Sequence, residues 1–96
     1  MSDVVQEYVE NLAPKVRGTI RGRAKLVIDG EGSVMLDEGG AWAGDEPADV
    51  TLMAGDKVFR GILAGDTNPV MAFMSGKLKV DGNAQRALKV SSILTA

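Results

Sequence analysis

Cysteine and histidine are both absent from this 96-residue chain. Without cysteine there is no disulfide and no thiolate chemistry, a composition that fits a reducing compartment. Without histidine the commonest metal ligand and the usual general base near neutral pH are gone, leaving carboxylates, lysines and hydroxyls. The two absences argue against an enzyme before any motif is sought, and no metal or other cofactor is expected. Aromatics are scarce, with one tryptophan, one tyrosine and two phenylalanines. No apolar run reaches the ~18 residues that suggest a membrane span. The chain opens on Ser2 and Asp3 instead of a basic and then apolar leader. It closes on Ile93-Leu94-Thr95-Ala96 instead of a Ser-Lys-Leu peroxisomal address. A cytoplasmic location is the expectation.

A formal net charge of −2 hides an uneven distribution. Lys15, Arg17, Arg21, Arg23 and Lys25 fall in residues 15–25 without one acid, and residues 26–56 carry Asp29, Glu31, Asp37, Glu38, Asp45, Glu46, Asp49 and Asp56 without one base. Arg21, Arg23 and Lys25 offer a surface to anionic head groups. The plainer reading is that neighbouring strands pair opposite charges on a wet face. Nucleic acid is not an expected partner, because the pI is mildly acidic and no aromatics interleave with the bases. Asp45, Glu46 and Asp49 lack the spacing of a calcium loop and read as a solvated loop. The glycines of residues 30–44 form neither GxGxxG nor a P-loop and read as hairpin turns. Ser75 and Thr51 have no base partner that would make either a nucleophile.

At 96 residues, one domain spanning 1–96 is expected. Val5, Tyr8, Val9 and Leu12 recur at i, i+3, i+4, i+7, which predicts a helix capped by Ser2 or Asp3 and ended by Pro14. From Ile20 to Ile28 the period drops to two, with Ile20, Ala24, Leu26 and Ile28 on one face. A three-residue loop, Gly30 to Gly32 with Gly32 left-handed, predicts a hairpin placing Ile28 opposite Val34, Leu26 opposite Leu36 and Lys25 opposite Asp37. Short strands are expected at Ala41–Ala43 and Ala48–Met53, and a helix from about Gly55 to Ala64 on the stripe Val58, Phe59, Ile62, Leu63.

The stretch from Ile62 to Asn83, ILAGDTNPVMAFMSGKLKVDGN, writes three transitions in succession. Gly65 ends one helix, Asn68 caps the next with Pro69 in its first turn, and Gly76 closes that one. Lys77 to Asp81 then alternate as a strand, and Gly82-Asn83 turns the chain into a last helix, Ala84 to Leu94. That last helix has Ala84, Ala87, Leu88 and Ser91 on one face and a second apolar face at Val90, Ile93 and Leu94.

The run Phe73 to Asn83, FMSGKLKVDGN, resembles the signature of the sterol carrier protein 2 (SCP-2) domain, and ADVTL at Ala48–Leu52, Leu63-Ala64-Gly65 and Asn68-Pro69 match the family in order. The resemblance covers nearly the whole chain. It implies an α+β fold: about five strands in a mainly antiparallel sheet, helices on one face, and an apolar tunnel between. On the matching positions the tunnel residues are Phe73, Met74, Leu78, Val80, Leu88, Ile93 and Leu94, with Leu36 and Leu52 facing from the sheet. Ser75 stands where many relatives carry glutamine, which bears on the head groups recognised. Met35, Met53, Met71 and Met74 suit an adaptable pocket, although methionines are also ordinary core fillers.

Two functions are in contention. The first is carriage or presentation of a lipid (fatty acid, acyl-CoA, sterol-like or polyprenoid) with no covalent step. The second is an accessory domain that keeps the fold, fills its cavity and binds an unidentified protein.

Overall fold

The computed structural model describes residues 3–94 and holds four helices and a five-stranded sheet. In chain order these are α1 (Asp3–Val16), β1 (Ala24–Ile28), β2 (Gly32–Asp37), β3 (Gly40–Ala43), β4 (Val50–Ala54), α2 (Asp56–Ala64), α3 (Pro69–Met74), β5 (Lys79–Gly82) and α4 (Ala84–Leu94). The strand order is β3-β2-β1-β4-β5, antiparallel except for the central β1–β4 pair, which is parallel. This is the α+β architecture expected.

Strand alternation explains where the core sits. Ala24, Leu26 and Ile28 of β1, Val34 and Leu36 of β2, and Val50, Leu52 and Ala54 of β4 point to one face and are buried there. The apolar stripe of α1 (Val5, Tyr8, Leu12, Val16) and the inner face of α4 (Ala87, Val90, Leu94) close over them. Phe59 and Ile62 of α2 complete the cluster. On the other face, Met35 is fully buried under a cover of its own: Trp42 lies opposite it across the β2–β3 ladder, and the Glu46 backbone N–H points at its sulfur from 3.5 Å.

Local punctuation follows the sequence closely at the carboxyl half. Gly65 ends α2 in the left-handed conformation at φ 82°, and the Asn68 side chain accepts hydrogen bonds from the backbone N–H groups of Val70 and Met71. Gly76, at φ 80°, follows α3, and the Lys77 and Leu78 N–H groups both donate to the Ala72 carbonyl. Those bonds keep residues 77 and 78 out of the sheet, so β5 runs from Lys79 to Gly82 instead of from Lys77 to Asp81. Asn83 does more than turn the chain, because its Oδ1 accepts from the Arg86 N–H at 3.1 Å and caps α4.

Three expectations are corrected. Pro14 does not end α1, which continues to Val16. Pro14 faces solvent, so the carbonyl it leaves without a donor, that of exposed Glu10, can be hydrated, while the extra turn buries Val16 completely. The cap expected at Ser2 or Asp3 lies outside the described residues and side chains. Next, β1 begins at Ala24 and not Ile20, although Ile20 is buried. Finally, the hairpin loop has three residues but sits one position earlier, so that Ile28 pairs with Gly32, Leu26 with Val34 and Lys25 with Met35. Gly30, at φ 75°, takes the left-handed conformation, and the Asp29 N–H continues the parallel ladder by donating to the Ala54 carbonyl at 2.9 Å. Pairing with β4 thus holds β1 extended to its end, and the chain reverses at once. Gly32 is favoured there because its φ of +141° strains any other residue and a Cβ would stand 2.9 Å from a methyl of Val5, where α1 crosses the sheet. The register moves by two, so every side chain keeps its face.

Backbone leaves no room for a side chain at Gly82, where φ is +107° and a Cβ would stand 2.7 Å from the Asp49 carbonyl oxygen. Gly18 also has positive φ, +75°, but with nothing within 4 Å. Gly18→Ala is expected to cost about 1 kcal/mol, the left-handed penalty alone. Gly82→Ala should cost at least about 1 kcal/mol more. Urea melts of the two variants check this, and equal losses would contradict the close packing of β4 against β5.

Candidate functional site

Helix α4 repeats Arg86, Lys89, Val90 and Ile93 at i, i+3, i+4, i+7, a single stripe that is cationic at one end and apolar at the other. This stripe faces the segment leaving α1. Together with Thr19, Ile20 and Arg21 it lines a cavity of about 230 Å³. Ile20 and Val90 are buried, Ile93 is half-buried, and Arg21, Arg86 and Lys89 are exposed, so the cavity has an apolar floor and a cationic rim.

The rim is partly preorganised. The Arg86 guanidinium donates to the Arg21 carbonyl and lies 3.9 Å from a carboxylate oxygen of Asp49. Among the described residues no ion pair involves Arg21 or Lys89. At the far end of α4, the Lys15 ammonium donates to the Leu94 carbonyl at 3.1 Å, tying α1 to the last turn.

The nine residues singled out from the sequence are distributed over three environments. Leu36, Leu52, Leu78 and Leu94 are fully buried within the core. Val80, Leu88 and Ile93 are half-buried, and Phe73 and Met74 are exposed on α3. Of the nine, Ile93 lines the 230 Å³ cavity. Ile20, Val90, Arg86 and Lys89 were legible only in part: the second apolar face of α4 was visible, but the cations at the same helical spacing were the signal that completes it.

Arg21, Arg23 and Lys25 separate as well. Lys25 donates to Asp45 at 2.8 Å, and Arg23 stacks over Trp42 at 5.8 Å with Glu46 at 3.9 Å. Asp49 accepts from the Arg23 N–H at 2.9 Å. Opposite charges therefore do meet on the outer face, with the acids coming from the β3–β4 loop and not from Asp37, which accepts from the Gly39 N–H in its own turn. Arg21 alone of the three turns to the cavity rim.

A second cluster joins α1 to α2. The Tyr8 hydroxyl donates to Asp56 Oδ1 at 2.7 Å, Arg60 binds both oxygens of Asp56 at 2.8 and 2.9 Å and also Glu7, and the Arg60 guanidinium lies 5.6 Å over the Tyr8 ring. Burial, reinforced by the hydrogen bond to the Asp56 carboxylate, pushes the Tyr8 phenol well above its ordinary value. Its role is to hold helices together.

A model of the family described as "SCP-2 sterol transfer family" matches residues 4–95. Sterol carrier protein 2 of Rattus norvegicus is 37% identical over 96 residues, covering 92% of this chain and 16% of that protein. The chain spans a fifth or less of the length of the curated relatives it matches. The solution structure of sterol carrier protein domain 2 of Helicoverpa armigera superposes with a TM-score of 0.65 at 27% identity, covering 96% of this chain and 80% of that one. Aedes aegypti sterol carrier protein 2 in complex with C16 fatty acid (palmitate) superposes with a TM-score of 0.76 at 19% identity, covering 98% and 96%.

The chain contains one tyrosine, which makes its titration readable. A phenol whose pKa is raised by folding contributes stability that is present below the unfolded value, about 10, and lost as pH rises through the folded one. Tyrosinate absorbance should therefore stay flat through pH ~10 in the native protein and appear only with alkaline unfolding. Tyr8→Phe is expected to cost about 1.5–3 kcal/mol in urea melts, the range for a hydrogen bond to a charged group. Titration of the native protein near pH 10 would contradict the buried Tyr8–Asp56 bond.

Proposed function

The chain belongs to the SCP-2 sterol transfer family, and from that premise we propose that it binds a single-chain anionic amphiphile, a fatty acid or acyl-CoA, without covalent chemistry. The observation that carries this reading is the α4 stripe. Arg86 and Lys89 meet the acidic head group at the rim with Arg21, while Ile20, Val90 and Ile93 take the first part of the chain. Each methylene that leaves water adds roughly 0.8 kcal/mol. The palmitate complex of the Aedes aegypti relative supports the ligand class.

A cavity of about 230 Å³ is smaller than the ~300–1,000 Å³ typical of ligand pockets. A long chain therefore needs α4 to move outward, and the tail then runs toward Leu52, Leu78 and Leu94. Helix α4 is suited to this because it covers β4 and β5 without belonging to the sheet, so its displacement breaks no strand pair. A second reading, an accessory domain that binds a protein, is favoured by the solid packing at Leu36, Leu52, Leu78 and Leu94.

Delipidated protein titrated with a fatty acid should show a melting temperature rising with the logarithm of ligand concentration and amide exchange slowed most in α4. Lys89→Glu should weaken fatty-acid binding by about 1–2 kcal/mol and leave a fatty alcohol of equal length nearly unaffected. No change with fatty acids, acyl-CoAs, sterols or quinones would reject lipid binding in favour of the accessory reading.

A further inference from the structure

Helix α3 is apolar on the outside. Among the described residues the exposed large hydrophobic side chains are Val70 (43%), Met71 (63%), Phe73 (39%) and Met74 (75%), all on this one six-residue helix. Its inward contribution to the core is Ala72. Residues 67–76, TNPVMAFMSG, carry no charge, and the next charged side chains along the chain are Lys77 and Lys79, with no acid until Asp81. The Lys77 N–H donates to the Ala72 carbonyl at 2.9 Å, which folds the backbone back and keeps exposed Lys77 at the carboxyl end of α3. Asp66 lies in the turn before the other end.

We propose that α3 is a docking surface for an anionic lipid membrane, with Val70, Met71, Phe73 and Met74 entering the interface and Lys77 meeting phosphate. Size and charge together decide between the candidate occupants. Four partly exposed side chains on one six-residue helix offer less than the ~800 Å² per partner that a stable protein interface buries. An anionic bilayer supplies both the apolar layer and the countercharge. Flexible thioethers adapt to such a fluid surface at little packing cost. The basic strand is less suited, because Lys25 and Arg23 are already matched by Asp45 and Glu46 on the outer face. This surface is separate from the cavity beside α4, and its role stands whether or not that cavity takes a fatty acid.

The test is flotation of the intact protein with vesicles of phosphatidylcholine alone or mixed with phosphatidylglycerol. Binding is expected to the mixed vesicles, to weaken with salt, and to fall roughly fivefold or more in Lys77→Glu, while Arg23→Glu leaves it within about twofold. Met71→Gln with Met74→Gln should abolish it, and because both side chains are exposed the melting temperature should hold. The chain has no cysteine, so Met74→Cys gives one labelling site. A polarity-sensitive dye there should report transfer to an apolar environment with mixed vesicles. No flotation, flotation indifferent to the methionine substitutions, or a dimer that the same substitutions dissociate would overturn the proposal. Fatty-acid stabilisation without flotation would remove the docking surface and leave the lipid-binding reading standing.

Discussion

Parallel pairing of β1 with β4 is the contact on which the rest of the structure depends. It brings Ala24–Ile28 beside Val50–Ala54 after an excursion through β2 and β3, so a long stretch of chain has to be closed before the pair can form. Ala24, Leu26 and Ile28 face the core on one side of that pair and Val50, Leu52 and Ala54 on the other, giving α1 and α4 a continuous apolar floor. Because the ladder extends to Asp29, the hairpin has to reverse immediately after Ile28. The same pairing draws Asp49 against Arg23, which brings the acidic β3–β4 loop over the outer face.

That placement decides the electrostatics. Five basic residues precede β1 or lie within it, and eight acids follow before the next base, a segregation that in an extended chain would leave two fields of opposite sign. Folding collapses them onto each other at Lys25–Asp45 and Arg23–Glu46, and Asp49 reaches both the Arg23 backbone and Arg86. Exposed pairs of this kind each contribute little to stability. Their larger effect is to leave Arg21 and Lys89, among the described residues, as cations not held in an ion pair beside an apolar floor, which gives the α4 cavity its amphipathic character.

Apolar surface is handled in two opposite ways. Over β1, β2 and β4 it is sealed by α1 and α4, and no buried side-chain polar atom among the described residues lacks a partner. On α3, which packs against α4, it is left open: Ala72 is the residue this six-residue helix buries, and its large apolar side chains stay exposed among the described residues. Such clustering of large apolar side chains outside the core is a mark of an interaction surface.

Much of the carboxyl half is legible in the amino-acid sequence. The caps at Gly65, Asn68 and Gly76 and the span of α4 depend on residues a few positions apart, and local chemistry decides them without reference to the rest of the chain. Alternation in β1, β2 and β4 also assigned the buried face correctly, since a period of two survives a shift of register by two. The sequence by itself thus determined the elements, the inward faces of the central strands and the family signature from Phe73 to Asn83. Only the tertiary structure decided the rest: the parallel partner that moved the hairpin, the solvent on Glu10 and Pro14 that let α1 run to Val16, the loop acids that meet Arg23 and Lys25, and the division of the nine apolar candidates among core, cavity and open surface. These depend on which residues distant in sequence come into contact, and such contacts are set by burying the whole core at once and leave no periodic trace along the chain.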